Sequence, residues 1–213
     1  MRAAPAIKFC GLTRPADIRA ACALGVEYIG LVFADGSARR VDLAQAKALA
    51  ACLRAQPQPA RLVALLRDTT ASAVEDVIAA IEPDLLQFHG SEDEAFCERF
   101  GLPYWKALGL RGVRNAQALV AHHHPRAQAL LLDAHAPGAA GGTGEAFDWQ
   151  AWPRSSRRLV LAGGLKPDNV AAAIGITRPF AVDVSSGIES APGVKDPACM
   201  RAFVLAVRGT AAA

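Results

Sequence analysis

The chain has 213 residues, of which 52% are hydrophobic and 20% charged, and its formal net charge is +3. This length suits a single domain over residues 1–213, because soluble domains divide only beyond about 250 residues. The composition excludes a disordered or fibrous protein, and the scattered basic residues argue against nucleic-acid binding. No apolar run reaches the roughly 18 residues that span a bilayer, and the first residues lack a signal-like apolar stretch, so we expect a cytoplasmic protein without membrane contact.

Eight short apolar runs rich in branched residues recur along the chain, and each is a predicted strand. In chain order they are AIKFC, YIGLVF, RLVALL, DLLQF, YWKAL, ALLLD, RLVLA and FAVDV. Segments with helical periodicity separate them, and several carry helix start signals. Examples are Asp42 before LAQAKALAACL, and Ser91 followed by Glu94.

Cysteine and histidine patterns do not indicate a metal site. Five cysteines without CxxC spacing predict neither a disulfide framework nor a zinc site. Four of them fall in alanine-rich helical segments, where a free thiol usually packs as a small hydrophobe. The run His122 to His124 is predicted to lie late in the fifth helix, where it favours the helix dipole more than a metal ion.

The alternation of strand and helix indicates an α/β fold. Nearly continuous apolar strands imply burial on both faces, so the predicted architecture is a (β/α)8 TIM barrel with a closed, parallel, eight-stranded sheet. A doubly wound open sheet would also alternate, but it predicts GxGxxG after the first strand, which CGLTRP does not supply. After the sixth strand comes the long glycine-rich segment AHAPGAAGGTGEAFDWQAW. Loops of this kind are usually functional or disordered.

Two strand ends carry side chains suited to proton transfer, at the barrel end where active sites form. Cys10 shares a strand face with Lys8 about 6.6 Å away, so we expect the ammonium to favour the thiolate and lower the pKa of Cys10. Asp133 ends the sixth strand, where an unpaired buried carboxylate is costly. A thiolate base and a neutral carboxylic acid form a proton-transfer pair. Packing of Cys10 as a hydrophobe, and a loop hydrogen bond for Asp133, are the alternatives.

Glycine-rich loops follow the last two predicted strands, in LAGGLKPDNV and VDVSSGIES. The pair Gly163 and Gly164 permits close backbone approach, and amides of both loops near a helix N-terminus suit a phosphate dianion. This matches the phosphate site of many TIM barrels. The GGTG run around Gly142 could cradle an anion or simply flex.

Other polar residues lie near the predicted strand ends. Arg39 or Arg40, after the second strand, could pair with a substrate carboxylate, or could be a solvated loop arginine. Asp183 is predicted to face inward, either towards the substrate or in a buried salt bridge with Lys8. His89 is predicted at the rim after the fourth strand.

These motifs resemble those of the phosphoribosylanthranilate isomerase family of tryptophan biosynthesis, in the same order and spacing. KFCGLTR resembles that family's KICGLT, and QFHG resembles its QLHG. GLVFADGSARRV, LLLDA with GGTGEAFDW, LAGGLKPDNV and VDVSSGIESAPGVKD complete the resemblance. One departure is Ala38, which stands where the family usually has the proline of SPR.

The resemblance implies an Amadori rearrangement of N-(5-phosphoribosyl)anthranilate to 1-(2-carboxyphenylamino)-1-deoxyribulose 5-phosphate, without cofactor or metal. It implies Asp133 as general acid, Cys10 as general base and Arg39 as the partner of the anthranilate carboxylate. The other residues that it implies around the substrate and its phosphate are Lys8, Gln87, His89, Gly142, Gly163, Gly164, Asp183, Ser185, Ser186 and Gly187. The expected partner is a small phosphorylated substrate, and the expected state is a monomer or weak homodimer. Another phosphosugar isomerase or epimerase barrel, or a non-catalytic phosphosugar-binding barrel, is the alternative.

Overall fold

A computed structural model describes residues 3–113, 115–133 and 149–211. Eight parallel strands form a closed barrel in chain order, with the last strand paired to the first. The strands are β1 Ala6–Cys10, β2 Tyr28–Val32, β3 Arg61–Leu66, β4 Leu85–Phe88, β5 Tyr104–Gly109, β6 Ala129–Asp133, β7 Leu159–Leu161 and β8 Ala181–Val184. Each lies within one residue of a predicted strand, so the TIM-barrel prediction is confirmed.

Helices cover the outside of the barrel. Those in the described residues are α1 Pro15–Ala23, α2 Leu43–Arg54, α3 Ala71–Ile81, α4 Glu94–Glu98, α5 Ala116–His122, α6 Val170–Thr177 and α7 Pro197–Gly209. Within the described parts of the chain, no helix is long and apolar enough to cross a membrane. The outward faces of the strands pack on these helices, and the inward faces form a separate apolar core that contains Tyr28, Val63, Trp105, Leu131 and Val160. Burial on both faces explains why the strands are almost wholly apolar.

One predicted helix N-cap is confirmed by the structure, and another is wrong. The Asp42 carboxylate accepts a hydrogen bond from Gln45 N at 2.8 Å, as an N-cap should. The cap of α4 is Asp93 rather than Ser91. Ser91 instead bonds to the loop after β3, where its backbone N–H and its hydroxyl both donate to Asp68 Oδ1 at 2.7 Å.

A short antiparallel hairpin follows β8, and the sequence did not predict it. Its strands are β9 Glu189–Ala191 and β10 Val194–Lys195. The Thr13 hydroxyl donates to Gly193 O at 2.6 Å, which fastens the turn of the hairpin to the loop after β1. The hairpin is therefore attached next to the strand end that carries Cys10.

Candidate active site

A cavity of about 340 Å³ opens at the carboxyl ends of the strands. This volume lies in the usual range for small-molecule sites. One wall is apolar, formed by Val32, Ala34 and Leu65. Polar groups from five strand ends or their loops face the same space, and they are Cys10, Arg39, His89, Asp133, Asp183 and Ser185. The cavity thus combines an apolar wall with ionisable groups.

Cys10 and Lys8 extend from β1 to the same point beside β2. A methyl group placed on Gly30 would lie 3.1 Å from both Cys10 Sγ and Lys8 Nζ. Lys8 is fully buried and donates to Asp183 Oδ1 at 2.8 Å, across the register that pairs these residues between β1 and β8. The salt bridge expected for Asp183 is present, and Asp183 also lines the cavity.

The expectation of a lowered pKa for Cys10 is wrong. Burial raises the pKa of the Cys10 thiol, the opposing effect of Lys8 is smaller, and Asp183 raises the pKa further. Burial also raises the pKa of Asp183 in spite of Lys8. For Lys8, burial favours the neutral amine, but Asp183 and Cys10 outweigh burial and raise its pKa. The resting site therefore holds a charged lysine beside a thiol that is mostly protonated.

Asp133 ends β6, is 7% exposed, and contributes to the same cavity. Its Oδ2 lies 3.9 Å from Nε2 of His89. On the other side of that imidazole, Gln87 Nε2 lies 3.2 Å from His89 Nδ1. An amide N–H donated to Nδ1 leaves the ring proton on Nε2, the nitrogen that faces Asp133. The negative charge of Asp133 also raises the pKa of Asp183, so the two carboxyl groups interact electrostatically.

The two glycine-rich loops after β7 and β8 are in direct contact. Gly163 and Gly164 both have positive φ, at 87° and 64°, a conformation that favours glycine. A methyl group on Gly187 would lie 1.9 Å from the carbonyl oxygen of Leu165, so only glycine fits there. Within the described ranges, the amides of Gly163 and Gly164 donate to no other residue. This concave backbone suits an anion.

Next to these loops, the Ser185 hydroxyl donates to Cys10 O at 3.0 Å, which connects the end of β8 to the end of β1. Ser186 and Gly187 form a short 3-10 turn directly after it. Gly142 lies outside the described residues.

The two candidate arginines differ in environment. Arg39 lines the cavity, and its Nε and Nη2 donate to the two carboxylate oxygens of Glu189, each at 2.8 Å. Arg40 is half exposed and pairs with the exposed carboxylate of Asp35 at 3.0 Å. Of the two, Arg39 is placed to meet a ligand.

Three charged residues around the site were not singled out from the sequence. Glu189 and Lys195 pair at 2.6 Å in the hairpin, and both side chains are buried. Arg67 follows β3, lines the cavity, and has its Nε 3.8 Å from Asp68 Oδ2. Arg67 could have been found from its position at a strand end. Glu189 and Lys195 lie in a segment whose sequence is typical of a turn.

No three His, Cys, Asp or Glu side chains in the described part of the chain are grouped to hold a metal ion. The metal-free reaction remains a prediction. The polar groups of the site are those of proton transfer and anion binding.

A family model described as N-(5′-phosphoribosyl)anthranilate (PRA) isomerase matches residues 7–206. The chain belongs to the PRA isomerase family. A PRA isomerase from Xanthomonas euvesicatoria pv. vesicatoria (strain 85-10) is 49% identical over 209 residues, which cover 95% of this chain and 92% of that protein. The predicted resemblance is confirmed, and as a member of this family the chain is an aldose–ketose isomerase.

Solved structures of PRA isomerases share the fold. One from Thermus thermophilus aligns with a TM-score of 0.82 at 34% identity, covering 96% of this chain and 98% of that one. Another was solved in complex with reduced 1-(o-carboxyphenylamino)-1-deoxyribulose 5-phosphate. It aligns with a TM-score of 0.79 at 28% identity, covering 96% of this chain and 99% of that one.

Proposed function

We propose that the cavity converts N-(5′-phosphoribosyl)anthranilate to 1-(2-carboxyphenylamino)-1-deoxyribulose 5-phosphate by general acid and general base catalysis. The observation that carries this proposal is that one cavity brings Cys10, Asp133 and Arg39 together, with Ser185 in its lining leading directly into the contacting glycine loops. A substrate with a carboxylate at one end and a phosphate at the other matches this distribution of groups.

Asp133 is the general acid of the first step. Its carboxyl proton goes to the ring oxygen of the ribose while the C1–O bond breaks, and the nitrogen lone pair forms the C1=N bond of a protonated Schiff base. Asp133 is left as a carboxylate. The adjacent His89 N–H faces this carboxylate and stabilises it, and Gln87 fixes the orientation of the ring.

Cys10 is the general base of the second step. Its thiolate takes the proton from C2, the C–H electrons form the C1=C2 bond, and the C1=N electrons return to nitrogen. The resulting enolamine gives the ketone when C1 gains a proton and the C2 hydroxyl loses one, so substrate and product are isomers. Because burial raises the pKa of Cys10, the Lys8 ammonium is needed to stabilise the thiolate when it forms.

The remaining contacts hold the two ends of the substrate. The loops of Gly163, Gly164 and Ser185–Gly187 bind the phosphate, and Arg39 binds the anthranilate carboxylate. Lys8 and Asp183 lie nearer the sugar, and Gly142 remains a proposed substrate contact.

We further propose that the protein acts in the cytoplasm as one domain over residues 1–213, as a monomer or weak homodimer, without a nucleic-acid or membrane partner. Light scattering after gel filtration measures the oligomeric state.

The first test follows the fluorescence decay of freshly generated substrate with wild type, Cys10→Ala and Asp133→Asn. Each catalytic group contributes about 10² to 10⁴-fold, so each variant should lose that factor in kcat and remain folded. Cys22→Ala, a buried helical thiol, and Asp42→Asn, a conservative cap change, are matched controls that should retain turnover. Wild-type turnover with retained activity in Cys10→Ala or Asp133→Asn would contradict the assigned role.

The same assay separates the rival functions. Turnover that a chelator leaves unchanged would count against a metal-dependent epimerase, and no turnover with retained binding of the reduced product would favour a phosphosugar-binding barrel. Turnover that persists in wild type with chelator present and is lost in Asp133→Asn supports the proposed reaction.

A further inference from the structure

Glu189 is held by two cations from different parts of the chain. Its carboxylate accepts from Arg39 Nε and Nη2 at 2.8 Å each and from Lys195 Nζ at 2.6 Å. The Glu189 side chain is 5% exposed and Lys195 is fully buried. The cations outweigh burial and hold the pKa of Glu189 below its ordinary value. Glu189 is therefore a charged carboxylate with little freedom to move.

Glu189 uses only one edge of the Arg39 guanidinium. A guanidinium has five N–H donors, and the Nε–Nη2 edge supplies two of them to Glu189. The Nη1–Nη2 edge remains, and it has the geometry for a second paired hydrogen bond to a carboxylate. Arg39 lines the cavity. A substrate carboxylate can therefore bind Arg39 without displacing Glu189.

The stem of Arg39 is fixed as well. A methyl group on Gly11 would lie 2.6 Å from Arg39 Cδ, so the side chain passes directly over the backbone after Cys10. Gly11 has a φ of 72° and follows the proposed base in the chain. Contact with Gly11 sets the path of the side chain, and Glu189 sets the rotation of the guanidinium at its end.

Lys195 determines the net charge and anchors Glu189. Arg39 and Glu189 alone would form a neutral pair, whereas Lys195 makes the three-residue cluster positive by one charge, which favours an anionic ligand. Lys195 Nζ also donates to Ser185 O at 3.0 Å. Ser185 in turn bonds to the backbone of Cys10. The anchor of Glu189 is thus tied to the end of β1.

We propose that Glu189, anchored by Lys195, is a positioning residue that turns the free edge of Arg39 towards the aromatic carboxylate of the substrate. This inference rests on the proposed function, because it assumes a ligand with that carboxylate. Glu189 does not touch the reacting atoms and acts through Arg39. Its loss should therefore affect binding of the carboxylate end far more than the chemical step.

The test compares two ligands by calorimetry: the reduced product, and the same compound without the ring carboxylate. Glu189→Gln should weaken the carboxylated ligand about 10-fold, which is the scale of one charge-assisted hydrogen bond, and should leave the other ligand unchanged. KM should rise by a similar factor with little change in kcat. Glu27→Gln is the matched control, because Glu27 pairs with Arg208 at 2.7 Å at the opposite end of the barrel. It should change neither affinity.

A double-mutant cycle with Arg39→Ala gives the second readout. If Glu189 acts through Arg39, then Glu189→Gln should add less than about 2-fold to the loss in the Arg39→Ala background, because the positioned group is gone. Should Glu189→Gln fold poorly, a second variant combines Glu189→Gln with Lys195→Met. It removes both charges of the buried pair, so no buried lysine is left without its carboxylate. That variant should show the same discrimination between the ligands.

Equal weakening of both ligands, an additive cycle, or no change in either affinity would overturn the positioning role. These results are distinct from failure of the proposed function. That failure would appear as wild type that binds the carboxylated ligand but does not isomerise the substrate.

Discussion

Gly187→Ala is the sharpest perturbation of the proposed phosphate site. The added methyl group would lie 1.9 Å from Leu165 O and 2.9 Å from Leu165 C, both backbone atoms. Ordinary contact begins at 3.4 Å, so one loop must move by about 1.5 Å. Because both contacts are to backbone atoms, rotation of a side chain cannot relieve them. The backbone after β7 and the turn after β8 must therefore separate. The substitution therefore opens the two loops that we propose to hold the phosphate.

The expected effects follow from that displacement. A shift of about 1 Å in a positioning element can cost about 10²-fold, so kcat/KM should fall by about that factor. Overpacking should lower the free energy of unfolding by about 1–3 kcal/mol. Competitive inhibition by inorganic phosphate should weaken in parallel, because the anion site itself is widened.

Gly175→Ala is the matched control. Gly175 lies within α6, and a methyl group there would meet nothing within 4 Å. Alanine in a helix is favoured over glycine by about 0.5–1 kcal/mol, so this variant should be slightly more stable with unchanged kcat/KM. Fluorescence decay of the substrate and urea unfolding measure both variants. Unchanged kcat/KM and phosphate inhibition in Gly187→Ala would refute the assignment of these loops to the phosphate.

Two further predictions concern buried ionisable groups. Lys8 lowers the pKa of Cys10 and Asp183 raises it. Lys8→Met should therefore shift the pH profile of kcat/KM to higher pH, and Asp183→Asn should shift it to lower pH. Shifts of both profiles in the same direction would contradict this. Burial lowers the pKa of His124 from 6.5 to about 4, so its stabilising contribution is present above pH 6.5 and is lost as the pH falls towards 4. The loss is about 3 kcal/mol, and His124→Asn, which suits the φ of 46°, should remove that part of the pH dependence in urea unfolding. An equal loss in both proteins would count against His124.

The barrel could be predicted because its signals are local. A strand buried on both faces needs a continuous apolar run, and each of the eight runs supplied one. Active sites of such barrels lie at the carboxyl ends of the strands, so Cys10 and Asp133 can be predicted without any long-range contact. The structure brings them into one cavity because all eight strands are parallel.

What the sequence missed depends on contacts between distant residues. The pKa of Cys10 was predicted in the wrong direction because spacing along β1 reveals Lys8 but not the extent of burial or Asp183 on β8. Glu189 and Lys195 lie in strands of three and two residues, too short for a periodic pattern. Their pairing needs the hairpin to form, and the contact of Glu189 with Arg39 joins residues 150 positions apart in the chain.

The charged residues around the cavity form two groups with different consequences. Lys8 and Asp183 form a pair whose net charge is zero, so it tunes Cys10 without attracting a ligand from solution. The cluster of Arg39, Glu189 and Lys195 keeps one positive charge beside the cavity. Removing Glu189 alone would leave the buried Lys195 and the partly buried Arg39 as two cations without their shared carboxylate. That loss would destabilise the hairpin and at the same time free Arg39 to move. Stability measurements on that variant therefore cannot separate the two roles, whereas ligands that differ only in the aromatic carboxylate can.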